Sequence, residues 1–155
     1  MIALLSIKPV FAERIFSGSK LFEYRKCVFR RPVTRVLVYA SAPISMIVGE
    51  FEVEELVYDD LELLWRKTKD HSGITEDYFY AYFGNKNKGY AIKVKNVCRY
   101  NPPIPLQDLY SSPPPQSFAY LTSPPSPKSE LSSKRLSCCL TSSACRNVTG
   151  SVTCK

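Results

Sequence analysis

Strand-like runs dominate the first 121 residues, and the helical stretches between them are too short to cover both faces of a parallel sheet. Met1 to Ile7, a segment around Phe22 to Arg25, Thr34 to Ala40, Met46 to Tyr58 and Tyr90 to Val97 each read as extended chain, rich in β-branched and aromatic residues. About five strands with short flanking helices predict an α+β domain built as a small mixed β-barrel.

Pro9 suits a first helical position, and Phe11, Ala12, Ile15 and Phe16 follow it at helical spacing. Gly18 then ends that helix in the left-handed conformation glycine adopts cheaply. Asp59 and Asp60 open a second helix whose buried face is Leu61, Leu64 and Trp65, with Arg66, Lys67 and Lys69 at its C-terminal end. Thr75 caps a third, with Phe79, Tyr82 and Phe83 as its stripe and Gly84-Asn85 as its stop. Alternation along Met46 to Tyr58 predicts an apolar face of Ile47, Gly49, Phe51 and Val53 and an acidic face including Glu50, Glu52 and Glu54. From Asn101 onward proline is frequent, and an extended surface crossing is expected.

Composition changes abruptly after Leu121. Residues 122 to 155 contain no aromatic residue and are dominated by Ser, Thr, Pro and Cys, which cannot offset the entropy lost on folding. The expected organisation is one domain over residues 1 to 121 and a disordered tail over 122 to 155, either an extension or the product of a shifted reading frame. Of the net charge of +7, the tail contributes +4, through five basic residues against Glu130. The remaining mild basicity fits a nucleic-acid binder without requiring one.

Cys138, Cys139, Cys145 and Cys154 lack paired C-x-x-C spacing and a nearby histidine, so no metal and no cofactor is expected. The short apolar run before Lys8 is neither a signal peptide nor a membrane span. A cytoplasmic monomer with free thiols and no membrane partner is the expectation.

Within Gly18-Ser19-Lys20-Leu21-Phe22-Glu23-Tyr24-Arg25, strand alternation puts Glu23 and Arg25 on one face and Phe22 and Tyr24 on the other. Lys20 either joins the aromatic face or stays in the turn and swings towards Glu23. Leu5-Ser6-Ile7-Lys8-Pro9 followed by Gly18-x-Lys20-x-x-Glu23-x-Arg25 resembles the GxKxxExR signature of ASCH domains, members of the PUA-like superfamily. Tyr39-Ala40-Ser41-Ala42-Pro43, Ile47-Val48-Gly49 and Pro115-Gln116-Ser117-Phe118 with Tyr120-Leu121 extend the resemblance over residues 1 to about 121.

The resemblance implies a PUA-like barrel with the signature residues at the mouth of a cleft. Lys8, Lys20 and Arg25 would meet phosphate or base edges there, and Glu23 completes the cluster; Phe22, Tyr24, Tyr39 and Tyr58 are candidate stacking faces. The resulting reading is a binding module for RNA or a modified nucleoside. An alternative is a hydrolase, since some ASCH relatives hydrolyse acylated nucleosides and others are described as ribonucleases. Lys20 would then be the nucleophile or base, Glu23 the proton shuttle and Asp70 or Glu76 a further carboxylate. Amidase relatives carry Thr where Glu23 stands, and a carboxylate beside Lys20 would raise its pKa and oppose deprotonation. A second alternative is a transcription or translation adaptor with a protein partner. His71, the only histidine, reads as a solvated loop residue.

Overall fold

The computed structural model describes residues 1–121; the expected tail lies outside them. Six strands and three short α-helices alternate as β1 (Ile2–Ile7), α1 (Pro9–Phe16), β2 (Phe22–Arg25), β3 (Arg35–Ala40), β4 (Met46–Asp60), α2 (Leu61–Thr68), α3 (Glu76–Phe83), β5 (Lys88–Pro105) and β6 (Phe118–Leu121). One-turn 3₁₀ segments at Lys69–His71 and Leu106–Asp108 follow α2 and β5.

All six strands form one mixed sheet in the order β2-β5-β4-β3-β1-β6. Only β1 and β3 run parallel, joined by a crossover that contains α1 and β2. The α+β class and mixed sheet match the expectation, whereas the hydrogen-bonded ladder does not close, and β2 and β6 remain its edges. The additional strand is Phe118–Leu121, which pairs with β1 from Ile2↔Leu121 to Leu5↔Phe118. Its four residues are too few to show a convincing period by themselves.

The helix boundaries follow local chemistry. Pro9 occupies the start of α1, and Gly18 has φ +81° just beyond its end. The Thr75 hydroxyl accepts from the Tyr78 amide at 3.3 Å, capping α3. Leu61, Leu64, Trp65 and Thr68 form the buried face of α2, and Phe79 and Phe83 that of α3. These two helices cover Phe22, Tyr24 and Ala91 on one side of the β2-β5 sheet. A second cluster of Ala3, Leu5, Ile15, Val36, Val38, Phe51, Ile92 and Val94 fills the curved interior, and a third joins Ile2, Leu4, Leu37, Tyr39, Ile47, Tyr100 and Ile104 on the far side of β1 and β3.

Two expectations about the long strands change. Register shifts at Ile47/Gly49, Glu50/Glu52 and Val53/Glu55 interrupt the alternation of β4, so Gly49, Glu50 and Phe51 are buried in succession. Glu50 consequently accepts from the Tyr100 hydroxyl at 2.8 Å and lies 3.6 Å from Arg35, instead of facing water with its acidic neighbours. Burial, with Glu50 beside it, pushes the Tyr100 hydroxyl well above the ordinary tyrosine range. The proline-rich stretch after Asn101 is extended as expected, yet it belongs to the sheet: Ile47 pairs with Ile104 and Met46 with Pro105. Proline is tolerated there because this end of β5 has β4 on only one side.

Candidate ligand-binding cleft

Among the described residues Lys20 is the most buried charged one, with 2% of its surface exposed. It precedes β2 and swings towards Glu23, which resolves its two possible placements. Its Nζ donates to the carbonyl oxygens of Phe22 at 2.6 Å and Ser72 at 3.0 Å, with Glu23 Oε2 at 3.7 Å. Three surrounding oxygens, all acceptors, are the environment of an ammonium, which has three hydrogens to give and no lone pair. The Tyr24 ring lies 4.7 Å from the same nitrogen and the Phe11 ring 5.7 Å.

Burial lowers the Lys20 pKa from its ordinary value, while Glu23 pushes it back up by charge and hydrogen bonding. The expected upward influence of Glu23 is present, but burial outweighs it.

The loop between α2 and α3 is shaped around this lysine. Gly73 has φ +63°, and a Cβ there would stand 2.5 Å from Lys20 Cβ. Its carbonyl accepts from Arg14 Nη1 at 2.6 Å, and the Leu21 amide donates to the His71 carbonyl at 2.9 Å. His71 itself is exposed in the 3₁₀ turn. Tyr24 anchors the other side through a 2.7 Å hydrogen bond to Thr68, and burial pushes its hydroxyl pKa up to about 12.

Glu23 and Arg25 share a face of β2, as alternation requires, with Arg25 Nη2 3.2 Å from Glu23 Oε1. Arg25 also donates through Nη2 to the Ser6 carbonyl at 2.8 Å and through Nη1 to the Ser117 carbonyl at 3.4 Å. These residues line a cleft of about 600 Å³ between β2, α1, α3 and the 116–117 segment. Its charged lining is Lys8, Lys20, Arg25 and Lys26 against the single carboxylate of Glu23. Phe11, Tyr24, Tyr78 and Tyr82 supply the aromatic walls.

Of the residues expected at the site, Lys8, Lys20, Glu23, Tyr24 and Arg25 line this cleft. Tyr39 does not: it is packed among Leu37, Ile47 and Ile104, because alternation along β3 turns it away from the side that faces α1. Asp70 is exposed in the 3₁₀ turn and is not part of the lining either. Tyr58 stacks on Tyr90, with ring centres 4.5 Å apart, near the end of β4 that leads into α2 and outside the cleft. Phe22 lies beneath α2 and α3.

Sequence reasoning missed Lys26, Tyr78 and Tyr82 as cleft residues. Tyr78 and Tyr82 are four positions apart, a same-face spacing on a helix, but the stronger Phe79/Phe83 pair at the same interval masks it. Among the described residues, no group of three or more His, Cys, Asp or Glu side chains is arranged to hold a metal ion, and no helix is long and apolar enough to cross a membrane.

A six-stranded mixed sheet with three short helices and a basic, aromatic-walled cleft at its edge defines a small α+β domain class. The chain carries an ASCH domain. No family model matches it. It is 29% identical over 126 residues to the ASCH domain-containing ribonuclease of Zymomonas mobilis, covering 77% of this chain and 83% of that protein. The crystal structure of the ASCH protein from Zymomonas mobilis superposes with a TM-score of 0.74 at 26% identity, covering 88% of this chain and 94% of the other.

Two proteins of Ureaplasma parvum serovar 3 also match over 119 residues, or 76% of this chain: large ribosomal subunit protein uL22 at 30% identity and ATP synthase subunit alpha at 29%. The chain spans 38% and 15% of their lengths, respectively.

Proposed function

We propose that residues 1–121 form an RNA-binding module whose ligand lies in the cleft around Lys20, Glu23 and Arg25. The observation that carries this reading is the lining itself, four cationic side chains and one carboxylate set among aromatic rings. Basic grooves paired with stacking surfaces are what single-stranded RNA needs, because every base has a π-face and every linkage a charge. Lys8 and Lys26 meet phosphate, while Lys20, Glu23 and Arg25 form the polar floor that meets base or sugar edges.

A second reading, RNA hydrolysis, is favoured by the name of the Zymomonas mobilis relative. In that reading Glu23 moves the proton and Lys20 stabilises the developing negative charge, as an ammonium beside the scissile linkage can. A nucleophilic Lys20 is opposed by its surroundings: Nζ donates to two carbonyl oxygens and has a carboxylate 3.7 Å away, a setting that favours an ammonium over a free amine.

Fluorescence anisotropy with short labelled RNA oligomers, read at 50 and 200 mM salt, tests the proposal. Two phosphate contacts to a single strand predict about a sevenfold loss of affinity across that range. The double variant Lys8→Ala, Lys26→Ala is expected to lose both affinity and salt dependence. Affinity indifferent to salt and to that double variant would overturn the assignment. Mass spectrometry of the same mixtures separates the readings: intact RNA supports binding alone, and cleavage abolished by Glu23→Gln supports hydrolysis.

A further inference from the structure

We infer that the cleft takes two successive nucleotides of a single strand rather than a lone nucleoside, one base against Tyr78 and the next against Tyr82. This deepens the RNA-binding reading and rests on it. Tyr78 and Tyr82 are i and i+4 on α3, so both face the cleft about 6 Å apart along the helix axis. That separation exceeds the 3.4 Å rise between stacked neighbours in one strand of a duplex. The two rings therefore give two bases, unstacked from each other, a face each.

Each ring comes with its own cation from a different element. Lys8, at the start of α1, donates to the Tyr78 hydroxyl at 3.3 Å and lies 5.9 Å from the ring centre. Lys26, directly after β2, lies 5.5 Å from the centre of Tyr82. The cleft thus holds two repeats of the same unit, an aromatic face with an ammonium beside it, which is the periodic feature a nucleotide chain presents.

The rings are braced as well as placed. Phe11 meets Tyr78 edge to face at 5.2 Å, and Phe83 meets Tyr82 at 5.0 Å. Tyr78 remains 37% exposed, open to a base from the cleft side. An ammonium resting on a ring as exposed as Tyr78 is held weakly and exchanges readily for a phosphate oxygen, while Tyr82, half-buried against the α2-α3 cluster, presents only its cleft side. The cleft volume of about 600 Å³ falls within the usual range for sites that enclose a small ligand.

The test compares uridine monophosphate, the dinucleotide UpU and the tetranucleotide UpUpUpU by isothermal titration against the full chain at 50 mM salt. Affinity is expected to rise at least tenfold from one nucleotide to two and less than threefold from two to four. Tyr78→Ala and Tyr82→Ala should each reduce UpU affinity by about 5- to 150-fold, the loss of one stacked base. Tyr78→Phe and Tyr82→Phe keep the ring and should restore most of that affinity; thermal unfolding checks that every variant is folded.

Equal affinity for one and two nucleotides, with RNA still bound, overturns the two-nucleotide inference and leaves the RNA reading standing. Phe variants as weak as the Ala variants overturn the stacking role. No binding of any of the three probes overturns both readings.

Discussion

The guanidinium of Arg25 reaches from edge strand β2 to the carbonyl oxygen of Ser6 on β1, 2.8 Å away. β2 stands at one end of the sheet and the β1-β6 pair at the other, so one side chain laces together two ends that backbone pairing leaves apart. Its second contact, to the Ser117 carbonyl, falls just before β6, and Glu23 supplies the compensating charge. Arg25→Met should destabilise the domain by about 3–5 kcal/mol, because Glu23 stays buried without that partner. Glu23→Gln keeps a hydrogen-bonding group and should cost less. Urea midpoints of the two variants give the comparison; equal losses would show that Arg25 does not act as the lace.

Gly73→Ala should displace Lys20. The new methyl combines positive-φ strain with a clash against Lys20 Cβ, and the expected loss is roughly 2–5 kcal/mol. Gly18→Ala has comparable positive-φ strain, with nothing within 4 Å of the added Cβ, and should lose only roughly 1–2 kcal/mol. Chemical denaturation of both variants isolates the steric part. A Gly73→Ala chain no less stable than Gly18→Ala would mean that Lys20 yields easily.

Tyr24 makes stability depend on pH in the alkaline range. Its folded-state pKa is raised to about 12 from 10.0, chiefly by burial, so the unfolded chain loses this proton first. The contribution is fully present below pH 10 and is lost as pH rises through 12, by an amount on the order of 2–3 kcal/mol. Tyr24→Phe removes this dependence along with the Thr68 hydrogen bond. The parent chain should therefore lead the variant at pH 8 and forfeit that lead between pH 10 and 12 in parallel denaturation curves. A constant gap would contradict the assignment.

A chain ending at Leu121 should melt within a degree or two of the full-length protein. Ending it at Gln116 removes Ser117 and the whole of β6, including the Ile2↔Leu121 and Leu5↔Phe118 pairs, and should lower Tm sharply. Calorimetry of the two truncations locates the domain boundary. A large drop for the 1–121 chain would move it into the tail.

Elements whose signals are local were legible in the sequence. Pro9, Gly18 and Thr75 marked helix ends by conformational rules that need no tertiary partner, and the side chains of β2 alternate as expected. Features arising from pairing were hidden. The bulges that bury Glu50, the paired proline stretch of β5 and the four-residue β6 exist because neighbouring strands demand them. The same distinction holds in the cleft. Lys20 and Glu23 were visible as a sequence cluster, whereas Lys26 and the tyrosines of α3 come together only through the packing of β2 against that helix.

The β4-β5 ribbon has a consequence for cooperativity. Ile47 and Ile104 anchor it in one cluster, Phe51, Ile92 and Val94 in the next, and Ala91 with the adjoining Leu61 in the last. No cluster can melt without loosening the two strands that hold the others. The ASCH domain is therefore expected to unfold in one step, the three clusters being lost together.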